Sequence, residues 1–164
     1  MIADSTYDAR ELIGRPGAGA VTGAVAATLM LALIAGLDSP DSARVWLGDV
    51  ARVMLPASLR TPASLAVVGL FVHLTVGSLC GALYAACQQR TSTGGLFVVG
   101  AFYGFMIWLV GDLILVRLFG VGPQLLQTWS GLLVTVAYGL ILATWAARSQ
   151  KASGRLGPAT RPVD

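Results

Sequence analysis

Two ionisable side chains lie inside long apolar stretches of this 164-residue chain, so any chemistry done within the hydrocarbon would fall to them. His73 stands near the middle of the stretch 64–87. Gly77, Cys80, Gly81 and Tyr84 follow it at spacings of 4, 7, 8 and 11. Those spacings share one helical face, so the imidazole points along a packing seam and away from lipid. Asp112 lies towards the end of the stretch 94–119. An aspartate at the centre of a membrane helix costs about 2.5 to 3.5 kcal/mol, so this one must be paired, protonated or facing a wet cavity.

Counted along the helices, the two depths differ by only about 5 Å, and a short connection at 88–93 makes the two stretches neighbours. A functional reading follows: His73 and Asp112 form a proton- or ligand-responsive pair in a polar pocket rimmed by Tyr103, Trp108 and Tyr138. On a second reading the two hydrogen-bond each other, or a backbone carbonyl, and only hold the helices together. On a third, Asp112 neutralises Arg117. Five residues fall on different faces of an α-helix, so that pairing is imperfect.

Other chemistry is excluded by what the chain lacks. There is no phosphate loop with its lysine, no GxSxG elbow, no HExxH and no helix bearing paired carboxylates, so no catalytic residues are expected and the chain reads as non-enzymatic. Cys80 and Cys87 lie about 10 Å apart along one helix, too far to bridge, and no Cys/His cluster exists to hold a metal. A haem with two axial histidines would need a dimer sharing His73, and no cofactor is expected. The net charge of +3 is spread over both sides of a membrane, which argues against nucleic-acid binding.

The elements that must position His73 and Asp112 are four apolar stretches, at about 17–37, 64–87, 94–119 and 128–147. With 55% apolar residues, 12% charged residues and a mean hydropathy of +0.74, little else is left. Roughly 20 apolar residues cross the hydrocarbon as a helix, and unpaired amides forbid other single-segment solutions. The fold expected is all-α: a four-helix transmembrane bundle over 17–147. A cleaved leader is the rival reading of the first stretch, but its run is too long and Asp4, Asp8 and Glu11 precede it.

Helices in lipid are held by close approach through small residues, and each stretch carries such a seam. The seams contain Gly19, Gly23 and Ala27; Gly77, Gly81 and Ala85; Gly100, Gly104 and Gly111; and Gly131, Thr135 and Gly139. They predict one tight bundle, with room for self-association or membership of a larger membrane complex.

Residues 1–16 read as a short leading segment and 148–164 as a disordered basic tail. Arg10, Arg15, Arg90, Arg148, Lys151, Arg155 and Arg161 fall on one side, against Arg44, Arg52, Arg60 and Arg117 on the other, which places both termini in the cytoplasm. Trp129 and Trp145 read as interface anchors at the two ends of the fourth stretch.

The long connection 38–61 contains an amphipathic helix at about 40–55. Ser39, Pro40 and Asp41 form its start signal, and Pro56 ends it. Trp46, Leu47, Val50, Val53 and Met54 make its apolar arc. That arc rests on the outer interface or on the top of the bundle, or else serves as a lid or a docking surface.

Taken in order, GAVTGAVAATLM from Gly19, Trp46-Leu47-Gly48, HLTVGSLCGALYA from His73 and GAFYGFMIW from Gly100 resemble the YagU-like and related small four-span proteins of the bacterial inner membrane. The likeness covers roughly residues 17–147. It implies a multi-pass protein of the cytoplasmic membrane and little about activity. TVGSLCGALYAACQQR from Thr75 also echoes TVAYGLILATWAARSQ from Thr135, as a duplicated helical hairpin would. The expected role is an accessory or scaffolding subunit or a membrane-homeostasis protein. The alternative is a small oligomeric transporter or proton-coupled conductor working through His73 and Asp112.

Overall fold

The computed structural model describes residues 9–37, 39–88, 92–118 and 128–155. Among them every element is helical: α1 Ala9–Leu37, α2 Pro40–Met54, a 3-10 turn Ala57–Leu59, α3 Pro62–Cys87, α4 Thr93–Leu109 and α5 Trp129–Arg155. A π-helical segment, Val110–Leu118, carries α4 onward. Four helices contain stretches long and apolar enough to cross a membrane: Pro16–Leu37, Pro62–Cys87, Thr93–Leu113 and Trp129–Ala152. The all-α bundle with one extra shorter helix is therefore as the apolar pattern predicts.

The helix ends are chemically specified. Ser39 caps α2 by accepting from the Ser42 amide at 3.3 Å, with Pro40 in the first turn. Thr61 and Ser64 form a reciprocal capping box at the start of α3. Ser92 accepts from the Gly95 amide to begin α4, and Thr128 accepts from the Gly131 amide at α5. Each bond satisfies an amide that the helix itself leaves orphaned. At the other end of α2, Arg60 donates to the carbonyls of Leu55 and Arg52, both at 3.0 Å.

The helices associate as two tight pairs, α1 with α3 and α4 with α5. A Cβ on Gly81 would lie 2.6 Å from the Gly23 Cα, and one on Gly100 would lie 2.6 Å from the Gly139 carbonyl oxygen. Only glycine lets the backbones come this close. α3 and α4, expected to be neighbours because a short connection joins them, do touch, through Tyr103 against Cys80 and Tyr84, but each packs most closely on another helix. Connection length makes two helices antiparallel, but the glycine faces choose the partner, and the main glycine face of α3 is turned to α1.

The structure adds detail to three further expectations. Residues 148–155, assigned to a disordered tail, instead continue α5. Gln150, Lys151 and Ala152 are good helix formers, and a helix already nucleated extends at little cost. Trp145, expected at an end of the fourth span, packs in part against the core cluster that includes Tyr138 and Leu142. Within α2, Trp46 and Ala51 are buried, whereas Val53 and Met54, assigned to the same apolar arc, are exposed. The leading residues 1–8, the connections 89–91 and 119–127, and the tail 156–164 lie outside the described residues.

Glycines of one type should therefore respond to substitution with opposite signs. Gly81→Leu forces α1 and α3 apart and should lower stability by about 1 to 3 kcal/mol, as overpacking does. Gly36→Ala meets no atom within 4 Å and should be neutral or gain up to about 1 kcal/mol of helix propensity. Thermal unfolding of the detergent-solubilised protein, followed by size-exclusion chromatography, reads both.

Candidate functional site

His73 is buried, with 8% of its surface exposed, and both of its ring nitrogens are engaged. The Trp46 indole N–H, from α2, donates to His73 Nδ1 at 3.2 Å. The other nitrogen, Nε2, lies 2.9 Å from the Ala27 carbonyl oxygen of α1. An indole N–H can only donate and a carbonyl can only accept, so Nδ1 is the acceptor and Nε2 carries the proton. The ring is the neutral Nε2–H tautomer, and its one lone pair, on Nδ1, is taken by Trp46, so none is left for an incoming ligand in this arrangement. The two rings meet edge to face, with centroids 6.1 Å apart and planes at 88°.

This small network is possible because α2 comes down onto the bundle. A Cβ on Gly69 would lie 3.0 Å from the Leu47 Cα and would collide with the Leu47 carbonyl oxygen. Gly69 is one turn above His73 on the same face of α3, so it opens the space through which Trp46 reaches the histidine. Sequence reasoning missed Gly69. The signal was present: Gly69, His73, Gly77 and Gly81 form one four-residue ladder, and Trp46 stands on the apolar arc of α2.

Asp112 is equally buried, its side chain 8% exposed, but its partner is Arg117. The Arg117 Nε donates to Asp112 Oδ2 at 2.9 Å, while the arginine side chain is 67% exposed. The π-helical segment explains why a five-residue spacing works. Its hydrogen bonds run from i to i+5, so residues five apart stand one above the other where an α-helix would splay them. Asp112 Oδ1 is buried and has no hydrogen-bond partner.

The expected His73–Asp112 pair is thus not formed. His73 spends both nitrogens on Trp46 and Ala27, and Asp112 spends one oxygen on Arg117 and has nothing on the other. The pocket expected from Tyr103, Trp108 and Tyr138 also divides. Tyr103 donates to the Cys80 carbonyl at 2.7 Å, and Tyr138 donates to the Gly77 carbonyl at 2.6 Å. Both tyrosines therefore tie α4 and α5 to the backbone of α3. Tyr103 also stacks at a tilt on Tyr84, with centroids 5.2 Å apart. Trp108 lies instead against the cluster of Met30, Ile34, Trp46 and Val134, one turn before Asp112.

Among the described residues no group of three His, Cys, Asp or Glu side chains could hold a metal ion. What the fold defines is a class: this is a multi-pass membrane protein built from four spanning helices. No family model, curated protein or solved structure matches the chain, so the resemblance to YagU-like proteins rests on its quoted residues alone.

A double-mutant cycle distinguishes the observed partners from the expected ones. Trp46→Phe strands Nδ1 and should cost about 1 to 3 kcal/mol. Together with His73→Leu it should show a coupling energy of about 1 kcal/mol, while His73→Leu with Asp112→Asn should be additive within about 0.5 kcal/mol. Stability measured for the three single and two double variants checks this, and coupling between His73 and Asp112 would contradict the geometry.

Proposed function

We propose that this chain is a non-enzymatic accessory or scaffolding subunit of the bacterial cytoplasmic membrane, with both termini in the cytoplasm. The observation that carries the reading is the fate of His73: the one imidazole of the chain is consumed by two internal bonds that join α1, α2 and α3. A histidine held in this way fixes a shape. Two glycine seams and two tyrosine ties add to the same rigidity, which suits a part that presents a constant surface to other membrane proteins. The distribution of Lys and Arg supports the orientation, and the resemblance to YagU-like inner-membrane proteins supports the location.

A second reading, a small oligomeric transporter or proton-coupled conductor, has one observation in its favour, the unpartnered Oδ1 of Asp112. The two readings separate in a single preparation. Purified in mild detergent, an accessory subunit should carry other membrane proteins, identified by mass spectrometry, and should show no pH-driven flux in liposomes. A homo-oligomer that dissipates a proton gradient would sink the first reading and establish the second.

A further inference from the structure

The π-helical segment holds a carboxylate that is only half used. Asp112 is more than nine-tenths buried, yet Oδ1 has no hydrogen-bond partner, and a buried oxygen left in this state costs about 1 to 3 kcal/mol, more when charged. Tyr84 Oη is the other buried polar atom without a partner among the described residues, but a phenol is neutral and its penalty is smaller. Asp112 is therefore the atom group in this bundle most in need of something that it lacks.

The surroundings say what that something is. Arg117 meets Asp112 through Nε and keeps most of its side chain exposed, so the positive end of the pair is solvated outside while the negative end is desolvated inside. The interior is left short of positive charge. Trp108 and Val116, four residues to either side of Asp112, pack against Met30, Ile34, Trp46 and Val134. An under-satisfied carboxylate whose helical neighbours Trp108 and Val116 are packed in an apolar cluster favours a donor that carries a charge on an apolar or aromatic body. Asp112 also sits in a π-helical turn, a feature frequent at functional sites.

We infer that Asp112 Oδ1 is the anchor of a binding site for a substituted ammonium ion, whose N–H donates to Oδ1 while its apolar body lies against the Trp108 side of the helix. Arg117 is then a competitor in charge, since it shares the same carboxylate. The site is independent of the role proposed above, because a scaffolding subunit can hold an amine as readily as a transporter can.

The opposite effects expected at the two residues make the test. Labelled benzylammonium is titrated onto the full chain in nanodiscs of zwitterionic lipid, which suppresses adsorption by surface charge. Saturable binding of one ion per chain is expected, resisting competition by benzyl alcohol, its neutral analogue. Asp112→Asn should weaken binding at least tenfold, and Arg117→Gln, which frees the carboxylate, should tighten it several-fold. Equal binding by wild type and Asp112→Asn, competition by benzyl alcohol, or an Arg117→Gln variant that binds no more tightly than wild type would each overturn the site. The arginine variant retains the aspartate, so the comparison holds even if Asp112→Asn fails to fold. A bound water alone at Oδ1 would give no saturable amine binding and counts against the inference.

Discussion

Lipid gives an apolar helix no reason to leave it, so the association of α1 with α3 and of α4 with α5 has to come from dispersion at very short range. That requirement falls on a few positions. Gly23 and Gly81 face each other closely enough that a methyl group on either would overlap the other's backbone, and Gly100 and Gly139 repeat the arrangement in the second pair. Once the backbones are that close, carbonyl oxygens on α3 come within reach of hydroxyls on neighbouring helices. Tyr138 takes the Gly77 carbonyl and Tyr103 the Cys80 carbonyl, which binds the two pairs into one bundle. The polar ties thus depend on the apolar seams.

The seams also relate the two halves of the chain. Gly19 and Gly23 correspond to Gly100 and Gly104 with an offset of 81, while Gly77, Gly81 and Ala85 correspond to Thr135, Gly139 and Ala143 with an offset of 58. Within each half the same contacts recur: Gly19 meets Gly81 and Ala85, and Gly100 meets Gly139 and Ala143. The difference of 23 residues between the offsets, 81 minus 58, is the extra length that accommodates α2 in the first half. The echo visible in the sequence, Thr75 with Thr135, has an offset of 60 and so runs two residues out of step with the seams. The Thr-Val pair that opens each segment sets that apparent alignment, but contact geometry sets the real one.

What could be read from residues alone, and what could not, follows from the range of the physics involved. Spanning helices depend on composition over roughly 20 positions, so their number and approximate places were legible, as were the start signals of α2. Partner choice was not. All four stretches carry small-residue faces, and nothing in Gly77-xxx-Gly81 says whether it will meet Gly23 or Gly104. The ion pair of Asp112 with Arg117 was visible as an option but fitted poorly, because a spacing of five was projected on an α-helix. A π-helical turn changes that projection and has no compositional signature in VGDLILVRL. The polar tie at His73 was legible only in part: a seam histidine was expected to hydrogen-bond a backbone carbonyl, and it does so at Ala27. Its second partner stands 27 residues away, on a helix whose apolar face had several places to go.

The placement of α2 shows why a histidine is tolerable at this depth. An imidazole with one free nitrogen in hydrocarbon would carry an unmet acceptor, and water is too far away to help. Trp46 resolves this with a group suited to the place: a large apolar ring system that has a single N–H donor and no acceptor of its own. Its burial, at 6% exposure, fills the space that Gly69 opens between α2 and α3, and its one polar atom ends on the nitrogen that needs it. Away from Trp46, α2 carries Asp41 with Arg44 and Asp49 with Arg52 as neighbouring pairs, together with exposed Val45, Val53 and Met54, while Trp46 and Ala51 are committed to the bundle. The helix is docked by shape at Gly69 and by one hydrogen bond at His73. Removing the bond while keeping the shape, as Trp46→Phe does, should therefore leave α2 in place but leave the imidazole with an unpaired nitrogen, which is the one part of this network able to take up a proton.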